Sequence, residues 1–518
     1  MPEKKLNPKQ LEAVNHGNGP LLIIAGAGTG KTTVITERVK RLITQKLAQP
    51  GEILGLTFTD KAAREMEDRI DIALPYGFTQ MWIMTFHSFC DRILRDEGIR
   101  IGLNTGYKLI TDTDVVSLFR RRLFDMDLDY FRPLGNPNKF ISGMTQHFNR
   151  LRDEDISPRQ YLDWTKSQPK NPSSPEEVLS QKEYSELARI FDQYQKFKIE
   201  ENVLDFADLV SYTLKLFRDR PNVLGNYQRK FKYVLVDEYQ DTNYAQNQIV
   251  NLLAGKHHNL TVVADDDQSI YRWRGAAISN VIQFKTTYPK AKLVVLTLNY
   301  RNTQEILDAA YRLIQFNNPD RLEIKEKITK KLKAALSKPG YPVEFLHFDR
   351  VENEADGVAK KIKSLLEENP GKYLPKDFAV LVRANAHAHS FSRSLDRLGI
   401  PYQFLGPGRL FEQPEVKDLI AYLRILRDPE DNQSLFRVLS MEYFAIPVRD
   451  LVTLGNYAQK HQTSFFTACE FPDDLALPQA TKQNIGRVTG IINKHLALIT
   501  KESAGQILFY FLQDTGLF

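Results

Sequence analysis

Apolar residues in this chain arrive in two rhythms. Short, nearly unbroken runs occur at Leu21–Ile24, Ile53–Phe58, Trp82–Phe86, Tyr233–Val236, Leu260–Ala264, Leu293–Leu298 and Phe378–Val382. Such runs predict strands buried on both faces. Between them, apolar positions recur at helical spacing, as in Val34, Ile35, Val39, Leu42 and Ile43. Another helical pattern opens at Thr59 or Asp60, either of which suits an N-cap. Strands alternating with helices predict a parallel sheet with ligands at the strands' carboxyl ends. Residues 97–200 lose the strand rhythm. They are helical, charged and broken by Pro133, Pro137, Pro158 and the Gln168–Pro175 loop, as expected of a helical insertion. From 406 onward the pattern is mostly helical, over Val416–Leu426, Leu435–Leu439, Ile485–Leu498 and Gln506–Gln513.

The first strand runs into Ala25-Gly-Ala-Gly-Thr-Gly-Lys-Thr32, with a helix after it. This is the Walker A spacing G-x-x-x-x-G-K-[ST] with alanine at its first position. Gly26, Gly28 and Gly30 let backbone N–H groups converge on phosphate oxygens, and the helix N-terminus adds its dipole. Lys31 would meet the outer phosphates and Thr32 would ligate magnesium. The nucleotide-binding set is thus Ala25, Gly26, Ala27, Gly28, Thr29, Gly30, Lys31, Thr32 and Thr33.

Composition narrows the picture only a little. At 518 residues the chain exceeds one core, and roughly three or four domains are expected. A hydrophobic share of 42% and a charged share of 26% are ordinary for a globular protein. No apolar stretch reaches membrane-spanning length and no signal-peptide core opens the chain, so no membrane and a cytoplasmic location are expected. Cys90 and Cys469 are the only cysteines, which excludes a disulfide framework or a four-cysteine metal site. The net charge of +6 permits a nucleic-acid partner without arguing for one.

Candidate chemistry clusters at predicted strand ends. Asp237 and Glu238 follow a buried strand. Asp237 is placed to hold magnesium, directly or through water, and Glu238 to polarise an attacking water. After the next strand, Gln268 could sense a terminal phosphate, while Tyr271 and Trp273 offer faces for base stacking beside Arg274. Tyr300 could stack on adenine, and Arg301 could act as an arginine finger from across a domain cleft. Gln10 could reach back to the nucleotide base. Phe58 and His87 lie at strand ends. For either alone, a core ring or a capping imidazole is the simpler account. Arg120 to Arg122 read as a solvated helix face.

Together these segments resemble the superfamily 1 DNA helicases of the UvrD, Rep and PcrA group. The matching pieces, in order, are Leu6-Asn-Pro-Lys-Gln10, the Walker A loop, Thr57-Phe-Thr-Asp-Lys-Ala-Ala63, Thr85-Phe-His-Ser88, Leu204-Asp-Phe-Ala-Asp-Leu209, Val236-Asp-Glu-Tyr-Gln-Asp-Thr242, Asp267-Gln-Ser-Ile-Tyr-Arg-Trp-Arg-Gly275, Asn299-Tyr-Arg301 and Glu415-Val-Lys-Asp-Leu-Ile-Ala-Tyr-Leu423. The resemblance implies an ATP- and magnesium-dependent motor that moves 3′ to 5′ on single-stranded DNA and separates duplex at junctions. Lys31, Glu238, Gln268 and Arg301 would be catalytic, and Thr32 and Asp237 would hold magnesium. Gln10, Tyr300 and Arg301 would join the loop in binding ATP. Phe58, Thr59, His87, Tyr271, Trp273, Arg274, Arg383 and Asn385 would face DNA.

The implied fold is α/β. A RecA-like P-loop domain would occupy 1–96 and 201–288, with the helical insertion at 97–200. A second, incomplete RecA-like domain would span 289–405, and a helical accessory domain 406–518. Thr33, Asp60, Ala207 and Ala264 depart from residues that are common in the group. The group's last two motifs find no match, so the expectation is an N-terminal portion of a longer helicase, completed by its remainder or a partner subunit. The alternative reading is a nucleotide- and DNA-binding module that does not unwind. A P-loop kinase or GTPase is disfavoured, because no Asn-Lys-x-Asp base-selecting stretch occurs.

Overall fold

A computed structural model of the chain describes residues 6–71, 81–169, 174–271, 275–406, 410–471 and 476–517. They divide into two compact units, Met1–Phe345 and Leu346–Phe518.

The first unit is built on six parallel strands: β1 Leu21–Ala25, β2 Ile53–Thr57, β3 Trp82–Thr85, β4 Tyr233–Val236, β5 Leu260–Ala264 and β6 Lys292–Leu296. Their order across the sheet is β3-β2-β4-β5-β1-β6. Every residue of β1, β2, β4 and β5 is buried, as continuous apolar runs require. Alternate side chains serve two cores. Leu22, Ile24, Leu54, Leu56, Val234 and Val236 face one layer. Leu21, Ile23, Ile53 and Leu235 face the other, with Val34, Ile35, Val39 and Leu42 of helix α2.

Four helices flank the functional edge: α1 Pro8–Val14, α2 Lys31–Thr44, α3 Asp60–Asp71 and α4 Phe86–Glu97. Thr59 is the N-cap of α3, its Oγ1 accepting from the Ala62 N–H at 3.1 Å. Arg38 of α2 is 1% exposed. Its guanidinium donates to the carbonyls of Ala13, Val14, His16 and Gly17. It thereby satisfies the orphan acceptors at the end of α1 and fixes α1 against α2.

The insertion is helical, as expected, over Asp112–Arg122, Ile141–Asp153, Pro158–Lys166 and Pro175–Glu200. It has its own core of Phe119, Phe148, Phe191 and Tyr194. A two-residue parallel pair, Lys108–Leu109 with Val203–Leu204, joins its ends. Arg121 and Arg122 pair with Glu201, which bears out the helix-face reading.

The structure corrects two expectations about the later chain. The Leu293–Leu298 run does not begin a second sheet: Lys292–Leu296 pairs with β1, Leu21 opposite Lys292, and forms the edge of the first. Its apolar side chains find the nearest unsatisfied strand edge, beside β1. The compact units divide after Phe345. The Phe378–Val382 run forms no strand either, because no described strand of its unit offers an edge to pair with. The described residues of the second unit are helical. Val351–Glu368 and Ala388–Arg397 share a small core of Ala359, Ile362, Leu395 and Ile400. Helices Pro414–Arg427, Asn432–Leu439, Val448–His461, Gln479–Leu496 and Ala504–Thr515 surround Tyr422, Leu435, Leu451, Ile485 and Phe511. No described helix is long and apolar enough to cross a membrane.

Candidate nucleotide site and nucleic-acid face

The phosphate loop turns between β1 and α2. Ala25 is still inside β1 and wholly buried, so the alanine at the first Walker position lies in strand, where a Cβ costs nothing. The glycines that matter come later. Gly28 and Gly30 adopt φ of 75° and 90°, the region that L side chains avoid. A Cβ on Gly28 would lie 2.7 Å from Asn299 Nδ2 and 2.8 Å from Arg301 Cβ. A Cβ on Gly30 would lie 2.8 Å from Gln10 Nε2. Thr29 Oγ1 donates to the Gly26 carbonyl at 2.7 Å, bracing the loop. Helix α2 then begins at Lys31 with no side-chain cap, leaving its first N–H groups for an anion.

A cleft of about 520 Å³ opens over this loop, lined by Lys31, Thr32, Thr33, Glu238, Gln268 and Arg301, with Gln10 and Tyr300 at its rim. Gln10 is 4% exposed. Its Nε2 donates to the Thr29 carbonyl at 2.9 Å, and its Oε1 accepts from the Asn7 N–H at 3.0 Å. Asn7 Nδ2 donates to Tyr300 Oη at 2.9 Å, so the glutamine and the tyrosine are held together. Tyr300 and Arg301 fall in the first compact unit with the loop. The reason is local: Tyr300 N–H donates to the Gly28 carbonyl at 2.9 Å, and Asn299 Nδ2 to that of Ala27 at 2.5 Å.

Opposite the loop, Lys31 Nζ donates to Glu238 Oε2 at 2.6 Å and to Gln268 Oε1 at 3.4 Å. Glu238 is in the left-handed region, φ 48° and ψ 45°, a strain of about 1–3 kcal/mol for a non-glycine residue. Gln240 Nε2 also donates to Glu238 Oε2, at 2.7 Å. Its Oε1 accepts from the Asp265 N–H at 3.0 Å. Asp237 is 4% exposed. Burial, and then the charge of Glu238, push its carboxyl up to about 7. Asp241 is pushed up to about 6 by the same two causes, and its Oδ1 is buried without a partner. A buried carboxyl set short of positive charge is a donor set that suits a hard divalent cation.

Phe58, just past β2, and Tyr271, beyond β5, stack with ring centroids 5.6 Å apart and planes 21° apart. His87, in the first turn of α4, meets Phe206 edge to face at 5.6 Å. Burial holds His87 below the ordinary imidazole range, partly offset by Asp60. Thr59 is exposed beside Phe58. Trp273 and Arg274 lie outside the described residues. Arg383 and Asn385 are exposed in the second unit. The site also uses residues to which the sequence assigned no role: Asn299, Gln240 and, on the cleft wall, Glu65 and Arg69 of α3. Only Asn299 carried a signal, its place beside Tyr300.

Residues 6–289 match the UvrD/REP helicase N-terminal domain, and residues 294–471 the UvrD-like helicase C-terminal domain. The chain is 38% identical over 475 residues to the ATP-dependent DNA helicase PcrA of Bacillus subtilis, covering 91% of this chain and 60% of that protein. It is 37% identical over 466 residues to the protein of that name from Leuconostoc citreum, covering 89% and 58%. The chain thus spans about 60% of the length of these relatives. A phosphate loop, an acidic strand end and a Gln268 loop converge on one cleft, within two domain matches that cover most of the sequence, and the chain belongs to the UvrD/Rep helicase family.

Proposed function

We propose that this chain hydrolyses ATP and couples that hydrolysis to 3′ to 5′ movement on single-stranded DNA, separating duplex at junctions. The observation that carries the reading is the 2.6 Å contact of Lys31 with Glu238 in the cleft over the phosphate loop. The relatives' printed name, ATP-dependent DNA helicase, agrees with it. We place the protein in the cytoplasm.

Lys31 neutralises Glu238. An incoming triphosphate competes for the ammonium, because its oxygens meet Lys31 and the N-terminus of α2 together. Glu238, released, becomes free to accept a proton from water. Thr32 and Asp237 would hold magnesium, which supplies charge neutralisation at the outer phosphates. Gln268 and Arg301 face the terminal phosphate, while Gln10 and Tyr300 face the base. The Phe58 and Tyr271 rings offer stacking surfaces worth about 1–3 kcal/mol per base. Both lie on loops that follow strands of the nucleotide sheet, so a change at Gln268 is three residues from a DNA-facing ring.

The test is ATP turnover with and without single-stranded DNA, beside Lys31→Ala. Displacement of duplexes carrying a 3′ or a 5′ tail reads direction. Turnover indifferent to both DNA and the substitution would sink the proposal.

A further inference from the structure

Asp265, Asp266 and Asp267 follow β5 directly, and the first two are 5% exposed. One oxygen from each falls within a group tight enough for a metal, but an ammonium is already there. Lys330 Nζ lies 2.7 Å from Asp265 Oδ1, 2.5 Å from Asp266 Oδ1 and 2.7 Å from Asp267 Oδ2. Burial opposes the charge on Lys330, yet the three carboxylates hold it above the ordinary lysine range. Arg321 grips Asp267 through two bonds of 2.8 and 2.7 Å. Leu322 N–H donates to Asp266 Oδ2 at 2.8 Å.

The cluster ends on the catalytic amide. Asp265 Oδ2 accepts from Gln268 Nε2 at 2.7 Å. A carboxylate can only accept, so this bond fixes the amide with Oε1 toward Lys31. A phosphate is also an acceptor. Nε2 carries two hydrogens: Asp265 takes one, and turning the amide so that the other meets a terminal phosphate pulls against that bond. Charge on Asp265 sets how firmly the amide is held, and Lys330 offsets that charge.

We propose that Lys330 is a positioning residue which, through Asp265, sets how readily Gln268 turns to a terminal phosphate, and so how well the site distinguishes a nucleoside triphosphate from a diphosphate. The proposal rests on the reading of Gln268 as the phosphate-facing group. It also gives Arg321 and Lys330, which follow the sheet, a hold on the Gln268 loop through Asp265 and Asp267.

The readout is the ratio of affinities for a non-hydrolysable ATP analogue and for ADP, which needs no turnover. Lys330→Met should cut the preference for the triphosphate by about tenfold, the scale of one charge-assisted hydrogen bond. Lys330→Arg should restore most of it. In a Gln268→Ala background, Lys330→Met should change nothing further. An equal loss in that background, or no loss in a folded Lys330→Met chain, would overturn the proposal. Should Lys330→Met fail to fold, Asp265→Asn decides. It weakens the hold on the amide and should raise the triphosphate preference, and a fall would overturn the idea. Turnover of the unaltered chain with single-stranded DNA tests the functional reading separately, since the ratios stand without it.

Discussion

Of the charge clusters described in the first unit, the one beneath the insertion and the one in the nucleotide cleft differ in that only the former is complete. Where the insertion meets the sheet, Arg152 and Lys198 face Asp205 and Asp208, all buried. Asp205 accepts from both cations and from Tyr194 Oη at 2.9 Å. Asp208 accepts from both cations and from the Asp205 N–H. Two positive charges meet two negative ones, and the carboxylate oxygens are used. In the nucleotide cleft, Asp237, Glu238 and Asp241 share a single cation, Lys31. One oxygen of Asp241 has no partner, and the Glu238 backbone is strained. A cluster closed by the protein itself is architecture. A cluster left short of positive charge would suit a cation, and carboxylate oxygens are the donors a hard divalent one takes.

The largest expected effect breaks the open cluster. Glu238→Gln keeps the side chain's shape and removes its basicity. DNA-stimulated turnover should fall by about 10²–10⁴-fold, with nucleotide affinity retained in equilibrium binding. Turnover within a few-fold of the unaltered chain would show that Glu238 is no base. The closed cluster should fail differently. Lys198→Met leaves two buried carboxylates to Arg152 alone and should cost about 3–5 kcal/mol of unfolding free energy, read by denaturant titration. Nucleotide affinity of the folded fraction should not change.

Acidity should separate the clusters by sign. The folded values of Asp237 and Asp241, about 7 and about 6, exceed the ordinary 3.8. Protons on them favour the nucleotide-free fold. That contribution is whole below 3.8 and is lost as pH rises through about 6 and then about 7. Asp205 runs the other way. Burial would raise it, but Arg152 and Lys198 outweigh burial and hold it below the ordinary range. Its contribution is whole above 3.8 and lost as pH falls further. The metal-free, nucleotide-free chain should therefore lose up to about 4 kcal/mol of stability between about pH 5 and about pH 8. Asp237→Asn should flatten much of that slope.

The open cluster was legible in the sequence and the closed one was not, for a physical reason. Gly28 to Thr32 are contiguous, and Asp237 and Glu238 adjoin a strand that could only be buried. Spacing alone therefore places both at strand ends. Arg152 and Lys198 sit in the helical insertion, and nothing in either helix predicts that they converge on Asp205. Lys330 is likewise 64 positions from Asp266. Strand identity was readable at Lys292–Leu296, but strand partnership was not, because pairing with β1 is decided by which edge is left open. The Phe378–Val382 run has strand composition with no edge to meet, and composition cannot report an edge.

The smallest effect is the sharpest comparison, because it turns on sign alone. Asp241→Asn removes a charge that the nucleotide-free cleft does not want. It should stabilise that form by about 1 kcal/mol near pH 8, with the gain vanishing below about pH 5, where the native carboxyl is already neutral. Asp208→Asn removes a charge of the same sign from the closed cluster. It should destabilise the chain in the same assay, since it leaves Arg152 and Lys198 sharing one carboxylate. Opposite signs from the same chemical change, in one unfolding assay, would establish that stability in the cleft has been given up for ligand charge. Equal signs would make both clusters structural.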